Sequence, residues 1–198
     1  FAYGGGGQDE DSSPLTAAEL VATHSAGISA GDAAKTFAKP GTYTGNRKLF
    51  DSEAAKRHLR RDTFRDNATV TDPYTGKPLT PSEAQVDHID PLERIYDEHK
   101  SDVWITNDDI RRAANSPDNL EVTSRQFNNA KRSRTNEEFM NDREYRESKS
   151  IKLSESAERE AIAKGKRAHD SVEAQLGLPT KARNIASTFH NAGTQAAQ

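Results

Sequence analysis

The chain has 198 residues, of which 32% are hydrophobic and 30% are charged, and its formal net charge is −3. This size supports one modest core with appended helices and excludes a large multidomain enzyme. No apolar run reaches the roughly 20 residues of a membrane span, and the N-terminus lacks the pattern of a secretory signal. We therefore expect a soluble, cytoplasmic protein without a membrane partner.

The sequence contains no cysteine, which excludes disulfides, thiol nucleophiles and thiolate zinc sites. A metal site would have to use Asp, Glu, His or Asn side chains. The charges lie in blocks: residues 46–65 hold seven basic and three acidic side chains, and residues 125–134 hold four basic side chains and no acidic one. These blocks indicate local basic surfaces on a chain whose net charge is negative.

The N-terminal part divides into two predicted segments. Residues 1–13 include four consecutive glycines and predict a flexible tail or linker, and the missing initiator Met fits a domain cut from a longer polypeptide. Residues 14–66 predict a helical region. Within it, residues 17–37 are more typical of two packed helices than of a DNA-reading helix-turn-helix. Residues 51–64 predict a helix with its Arg and Lys side chains facing outward.

The central part, residues 67–135, changes its periodicity. Residues 68–89 predict an irregular hairpin whose two strands are residues 69–71 and 85–89. The following residues predict a long connection with one short helix near 107–114. Residues 119–132 predict a helix because turn-forming residues precede an apolar pattern.

The C-terminal part, residues 136–198, predicts a helical appendage with a frayed end. We expect its helix to stop at residues 177–179, which include Gly177 and Pro179. We also expect it to pack along the domain rather than bind a partner. The predicted packing stripe comprises Leu153, Ala157, Ala161, Ala168, Val172 and Leu176.

Four residues carry the most informative pattern. Asp87 and His88 end a predicted strand, while Asn119 and Asn128 lie nine residues apart near the predicted helix. Nine helical residues turn through about 900°, so the two asparagines would not share one helical face. We therefore expect Asn119 in the loop at the start of the helix and Asn128 within it.

This combination resembles the HNH nucleases of the ββα-metal superfamily, in the variant whose last His is replaced by Asn. The resemblance covers about residues 70–134 and is strongest to HNH domains of CRISPR effector nucleases and of phage or toxin proteins. The run Tyr74-Thr75-Gly76-Lys77 matches the hairpin knuckle of the family, although the cysteine pairs that hold zinc there in many relatives are missing. The connection after the Asp-His pair is long, so residues 93–109 are expected to be an insertion packed by Trp104.

The resemblance implies an α+β fold with a ββα-metal core, a short irregular hairpin plus a helix, surrounded by N- and C-terminal helices. It implies that His88 and Asn119 are the catalytic residues, with His88 as the general base and Asn119 orienting its ring. Imidazole suits this role because its ordinary pKa is near about 6.5. Asp87 and Asn128 would bind one divalent metal ion, Mg²⁺ or Mn²⁺, and no structural zinc is expected.

The implied reaction is hydrolysis of DNA, with RNA left open as a substrate, to 5′-phosphate and 3′-hydroxyl products. One active site would nick one strand per visit. Because the net charge opposes strong free-standing affinity, local basic residues must bind the phosphates or a partner must deliver the substrate. The expected phosphate contacts are Lys131, Arg125, Arg132, Arg134, Arg57, Arg60 and Arg61.

A second class of function also fits the sequence: a catalytically inactive module that retains the ββα fold for nucleic-acid binding or assembly. A decayed site should have lost a key residue, whereas all four positions are filled, which favours the nuclease. The biological context stays open between a phage or mobile-element nuclease and a toxin domain with an immunity protein.

Overall fold

The computed structural model describes residues 38–102 and 104–196. The protein has the α+β fold predicted from the sequence, with small antiparallel sheets among helices. The predictions for residues 1–37, namely the flexible tail and the first helices, lie outside the described residues. None of the helices within the described ranges is long and apolar enough to cross a membrane.

The described strands form two antiparallel pairs. β1 pairs with β2, and β3 pairs with β4 in a register that places Ala84 opposite Ser124 and His88 opposite Leu120. The strands are β1 (Val70–Thr71), β2 (Pro78–Leu79), β3 (Ala84–His88) and β4 (Leu120–Ser124).

The pairing of β3 differs from the sequence prediction. We expected it to close a hairpin with residues 69–71, but its partner is β4, so that prediction is wrong. Residues 120–124 are a strand rather than the first turns of a helix. The physical reason is their alternation, because Leu120 and Val122 bury their side chains and β-branched residues favour extended backbone.

Seven helices and two short 3₁₀ turns complete the described part of the chain. The predicted helices at residues 51–64 and 107–114 are confirmed, and the second begins with a reciprocal capping box between Thr106 and Asp109. The helices are α1 (Glu53–Thr63), α2 (Leu92–His99), α3 (Asn107–Ala114), α4 (Arg125–Lys131), α5 (Asn136–Asn141), α6 (Arg143–Ser148) and α7 (Glu155–Ala196), and the 3₁₀ turns are Arg47–Leu49 and Pro117–Asn119.

The connection between β3 and β4 carries α2 and α3 and forms much of one hydrophobic cluster. Trp104, expected to pack this insertion, is only half-buried. The cluster also includes residues that precede α1 and residues of α7. The connection between β3 and β4 therefore packs against both of these parts of the chain. The buried members of the cluster are Phe50, Leu92, Ile95, Tyr96, Ile105, Ile110, Ala113, Ala114, Val172 and Leu176.

The β3–β4 hairpin is covered by α1 and by α4. Leu59 of α1 packs in a cluster with Ala84 and Val122. Successive strand residues point to opposite faces, and accordingly Gln85 and Asp87 meet side chains of α4 instead. His88 follows Asp87 and therefore returns to the face that α1 approaches. The end of β3 thus presents its last two side chains to different elements.

The turn between β1 and β2 is held by a buried carboxylate. Asp72 accepts hydrogen bonds from the backbone N–H of Tyr74 (3.0 Å), the hydroxyl of Thr123 (3.0 Å) and the backbone N–H of Ser124 (3.2 Å). The Tyr74 ring stacks on Phe127 with centroids 4.2 Å apart. These contacts tie the turn to β4 and α4 by hydrogen bonding and ring stacking.

The C-terminal helix extends further than its sequence predicts. We expected a stop at residues 177–179, but α7 continues through Pro179 to Ala196, so that prediction is wrong. A proline inside a helix removes one backbone hydrogen bond. Contacts beyond it offset this loss, since Ala182 is buried and buried Arg183 pairs with Asp109 of α3.

Asp72→Ala should lower the free energy of unfolding by about 3 kcal/mol. The substitution leaves buried N–H and O–H donors without the charged acceptor that they bind in the wild-type protein. The exposed Asp66→Ala is the matched control and should change it little. Urea unfolding of both variants measures the difference. Equal effects in the two variants would contradict the anchoring role of Asp72.

Candidate active site

A cleft of about 520 Å³ opens between the segment before α1, the end of β3, the start of α2 and the end of α4. Three of the four residues singled out in the sequence line it: Asp87, His88 and Asn128. Two arginines, Arg47 and Arg132, share its lining. The remaining lining residues are Tyr43, Val86, Pro91, Leu92, Glu93, Asn129 and Ser133.

His88 is the last residue of β3 and is buried, with 7% of its surface exposed. Its Nε2 lies 2.9 Å from Oδ1 of Asn115 and 3.6 Å from Oδ1 of Asp51. Burial lowers the pKa of His88, while the Asn115 hydrogen bond and the Asp51 charge oppose that shift. The ring is therefore neutral at neutral pH, which is the form that can accept a proton.

Asn115 was not identified from the sequence. It follows α3, where an asparagine indicates only a helix end. Its Nδ2 donates to the carbonyls of Phe50 and Arg111, both at 2.7 Å, and its Oδ1 also accepts from the backbone N–H of Ser52 (3.2 Å). No local signal could have revealed this contact, because His88 and Asn115 are separated by the whole insertion.

Asp51 lies beside the imidazole and was not singled out either. Its burial would raise the pKa of this carboxyl group, but the hydrogen bond from Lys56 and nearby positive charges hold the pKa below its ordinary value. The Lys56 ammonium lies 2.9 Å from Oδ2 of Asp51. Asp51 is therefore ionised at neutral pH.

Asn119 is fully buried in the turn that precedes β4, so its predicted place at the start of a helix is wrong. Its Oδ1 accepts from the backbone N–H of Asp90 (2.7 Å), and its Nδ2 donates to the carbonyls of Asp90 (3.0 Å) and Ala114 (2.8 Å). Asn119 thus ties together the two ends of the insertion. It contacts the backbone after His88 rather than the imidazole.

Lys131 and Asp87 form a buried ion pair. The ammonium lies 2.9 and 2.8 Å from the two carboxylate oxygens and 2.8 and 3.0 Å from the carbonyls of His88 and Ile89. Lys131 has no exposed surface, and Asp87 retains 2%. The prediction that Lys131 contacts phosphate is therefore wrong, because its charge is already neutralised beneath the cleft.

Asp87 and Asn128 carry oxygen atoms that fit a hard divalent cation. Nδ2 of Asn128 donates to Oε1 of Gln85 (3.0 Å), and its Oδ1 accepts no hydrogen bond from any residue in the described ranges. Oδ1 of Asp87 keeps a second lone pair after binding Lys131, whereas Oδ2 also accepts a hydrogen bond from the Tyr74 hydroxyl (3.4 Å). Carboxylate and amide oxygens are ligands typical of Mg²⁺ and Mn²⁺.

Among the basic residues predicted to bind phosphate, only Arg132 lines this cleft. It is exposed and has a φ of 54°, in the left-handed region that non-glycine residues rarely adopt. Arg134 is half-buried, and its Cζ lies 4.1 Å from the centroid of the Tyr145 ring. Arg47, which the sequence did not single out for binding, borders the same cleft and contacts Asp51 at 3.2 Å.

The other predicted phosphate contacts lie outside the cleft lining. Arg57, Arg60 and Arg61 are exposed on α1, where Arg60 donates to the carbonyl of Pro81. Arg125 is exposed at the start of α4. These side chains are free to meet solvent, but they form a surface separate from the cleft lining.

A second group of metal-type ligands lies elsewhere. Glu98, His169 and Glu173 bring ligand atoms within 4.8 Å of one another. The hydrogen bond that His169 donates to the Asp90 carboxylate raises the pKa of His169. This favours the protonated imidazole, which does not bind metal, so the group is a weaker candidate than the cleft.

Comparison with models of known protein families, with curated proteins and with solved structures gave no match. The cleft lining combines a neutral imidazole, two side chains whose oxygen atoms can bind a metal ion, and two arginines. Such a set can accept a proton beside a bound anion.

Lys131→Met should lower the free energy of unfolding by about 3 to 5 kcal/mol, because it leaves the Asp87 carboxylate buried without its counter-ion. Lys149→Met, at an exposed position, is the matched control. Chemical denaturation checks both variants. A loss no larger than that of the control would show that the buried pair does not hold α4 against β3.

Proposed function

We propose that this protein is a metal-dependent endonuclease of the HNH type that hydrolyses phosphodiester bonds in DNA. The observation that carries the proposal is the meeting of Asp87, His88 and Asn128 at one cleft. They come from β3 and α4, and β3, β4 and α4 follow one another as a hairpin and a helix. This order supports the resemblance to a ββα-metal core, with α2 and α3 inserted between the strands.

His88 would act as the general base. It accepts a proton from a water molecule, whose oxygen attacks phosphorus while the bond to the 3′ oxygen breaks. The departing 3′ oxygen takes a proton from solvent water, so the products are a 5′-phosphate and a 3′-hydroxyl. A divalent cation held by Asp87 and Asn128 would supply charge stabilisation at the phosphate and the departing oxygen.

Arg47 and Arg132 would hold the phosphate backbone at the cleft. Both are exposed and line it, from the segment before α1 and from the end of α4. Because the chain carries a net charge of −3, binding depends on such local contacts and weakens steeply with salt. Basic residues of α1 would extend contact along the duplex.

Cleavage of supercoiled plasmid tests the proposal directly. Wild-type protein should convert the plasmid to the open-circular form with Mg²⁺ or Mn²⁺, and EDTA should stop it. His88→Ala should abolish cleavage while retaining DNA binding, because it removes the base alone. His99→Ala is the control, since His99 pairs with Glu173 outside the cleft.

Other outcomes separate the alternatives. If wild-type protein binds DNA but cuts neither DNA nor RNA with any of these metals, the nuclease proposal fails and the inactive binding module replaces it. If RNA alone is cut, the reaction stands and the substrate is corrected. Cleavage that survives His88→Ala would contradict the assignment of the base.

Arg47→Ala and Arg132→Ala should each weaken DNA binding and reduce the slope of log affinity against log salt by about one. Each variant removes one phosphate contact. Arg167→Ala, an exposed arginine of α7 that pairs with Glu160, should leave both quantities unchanged. Fluorescence anisotropy with a labelled duplex measures them. An unchanged salt slope in both cleft variants would contradict this phosphate site.

A further inference from the structure

We propose that Asn115 is the positioning residue that holds His88 with its hydrogen on Nε2, and so leaves Nδ1 as the proton acceptor. The catalytic consequence rests on the proposed nuclease function. The structural consequence does not, because it concerns the ring of His88 in the protein alone. Asn115 follows α3 in the long connection between β3 and β4, and it is not among the four residues on which the resemblance to the ββα core depends.

The orientation of the Asn115 amide is fixed by its own partners. Its Nδ2 donates to the carbonyl oxygens of Phe50 and Arg111. A flipped amide would place its oxygen against these two acceptors and lose both hydrogen bonds. The oxygen must therefore face the other way, where it accepts from Ser52 and meets the imidazole of His88.

This orientation determines the state of the imidazole. Nε2 faces the amide oxygen of Asn115 at 2.9 Å and the Asp51 carboxylate at 3.6 Å, both of which are acceptors. Nε2 must therefore carry the hydrogen. A neutral imidazole has only one N–H, so Nδ1 keeps a free lone pair. Nδ1 makes no hydrogen bond within the described ranges, and His88 lines the cleft.

Asn119 also contributes to the position of the His88 ring, through its contact with the residue before Asn115. It donates to the carbonyl of Ala114, the residue directly before Asn115, and also binds both backbone groups of Asp90. It thus anchors the end of α3 close to the end of β3. Asn119 was expected to orient the imidazole directly. It acts on the ring only indirectly, by holding the backbone beside Asn115.

The test is ¹⁵N NMR of the histidine rings in the full chain without added metal, with the His88 signals assigned by their loss in His88→Ala. Wild-type protein should show a protonated Nε2 and an unprotonated Nδ1. Asn115→Leu removes the nearer of the two acceptors that face Nε2, leaving only Asp51 at 3.6 Å, and should raise the share of the Nδ1–H tautomer. Asp51→Ala keeps the Asn115 oxygen as acceptor and should retain the Nε2–H form. Thermal unfolding confirms that each variant is folded.

Activity gives a second readout. Asn115→Leu should lower kcat by about tenfold to a hundredfold with KM unchanged, as expected for loss of an orienting partner. Asn141→Leu, at an exposed asparagine, should behave as wild type.

The outcomes distinguish this inference from the proposed function. Wild-type protein with hydrogen on Nδ1, or an unchanged tautomer in folded Asn115→Leu, overturns the role of Asn115 even if DNA is cut. An Nε2–H ring that Asn115→Leu disturbs, in a protein that cuts no nucleic acid, supports the positioning role and overturns the nuclease.

Discussion

The buried ion pair between Lys131 and Asp87 is the constraint on which the site depends. It joins the last turn of α4 to the end of β3, and the same ammonium binds the carbonyls of His88 and Ile89. Burying two charges costs solvation energy that an apolar pair would not, so its value is positional rather than a gain in stability. It fixes where β3 ends and therefore where the imidazole and the oxygen donors meet.

The insertion between β3 and β4 completes this arrangement. Its hydrophobic cluster fastens α2 and α3 to α7, and its two ends are tied together by Asn119. Because Asn115 follows α3, the packing of the insertion sets the orientation of a residue at the end of β3. A longer connection than a compact core needs is thus part of the site.

Part of the site and of the fold was predictable from the sequence. The resemblance to HNH nucleases singled out the Asp-His pair and Asn128, and the capped helix at 107–114 has strong local signals. The residues of β4 were predicted as part of a helix because turn-forming residues precede them. Five residues are too few for their alternation of apolar and polar side chains to indicate a strand clearly. Lys131 was assigned to the surface because a sequence does not distinguish a buried cation from an exposed one. Asn115 was not identified because its contact with His88 joins two residues that are far apart in the sequence.

The most direct test of the central claim is a crystal structure of the protein grown with Mn²⁺ and measured at a wavelength that reveals manganese. If Asp87 and Asn128 bind the cation, one anomalous peak lies in the cleft, about 2 Å from an oxygen of Asp87 and from Oδ1 of Asn128. Manganese bound instead between Glu98, His169 and Glu173, with none in the cleft, would contradict a metal site at Asp87 and Asn128.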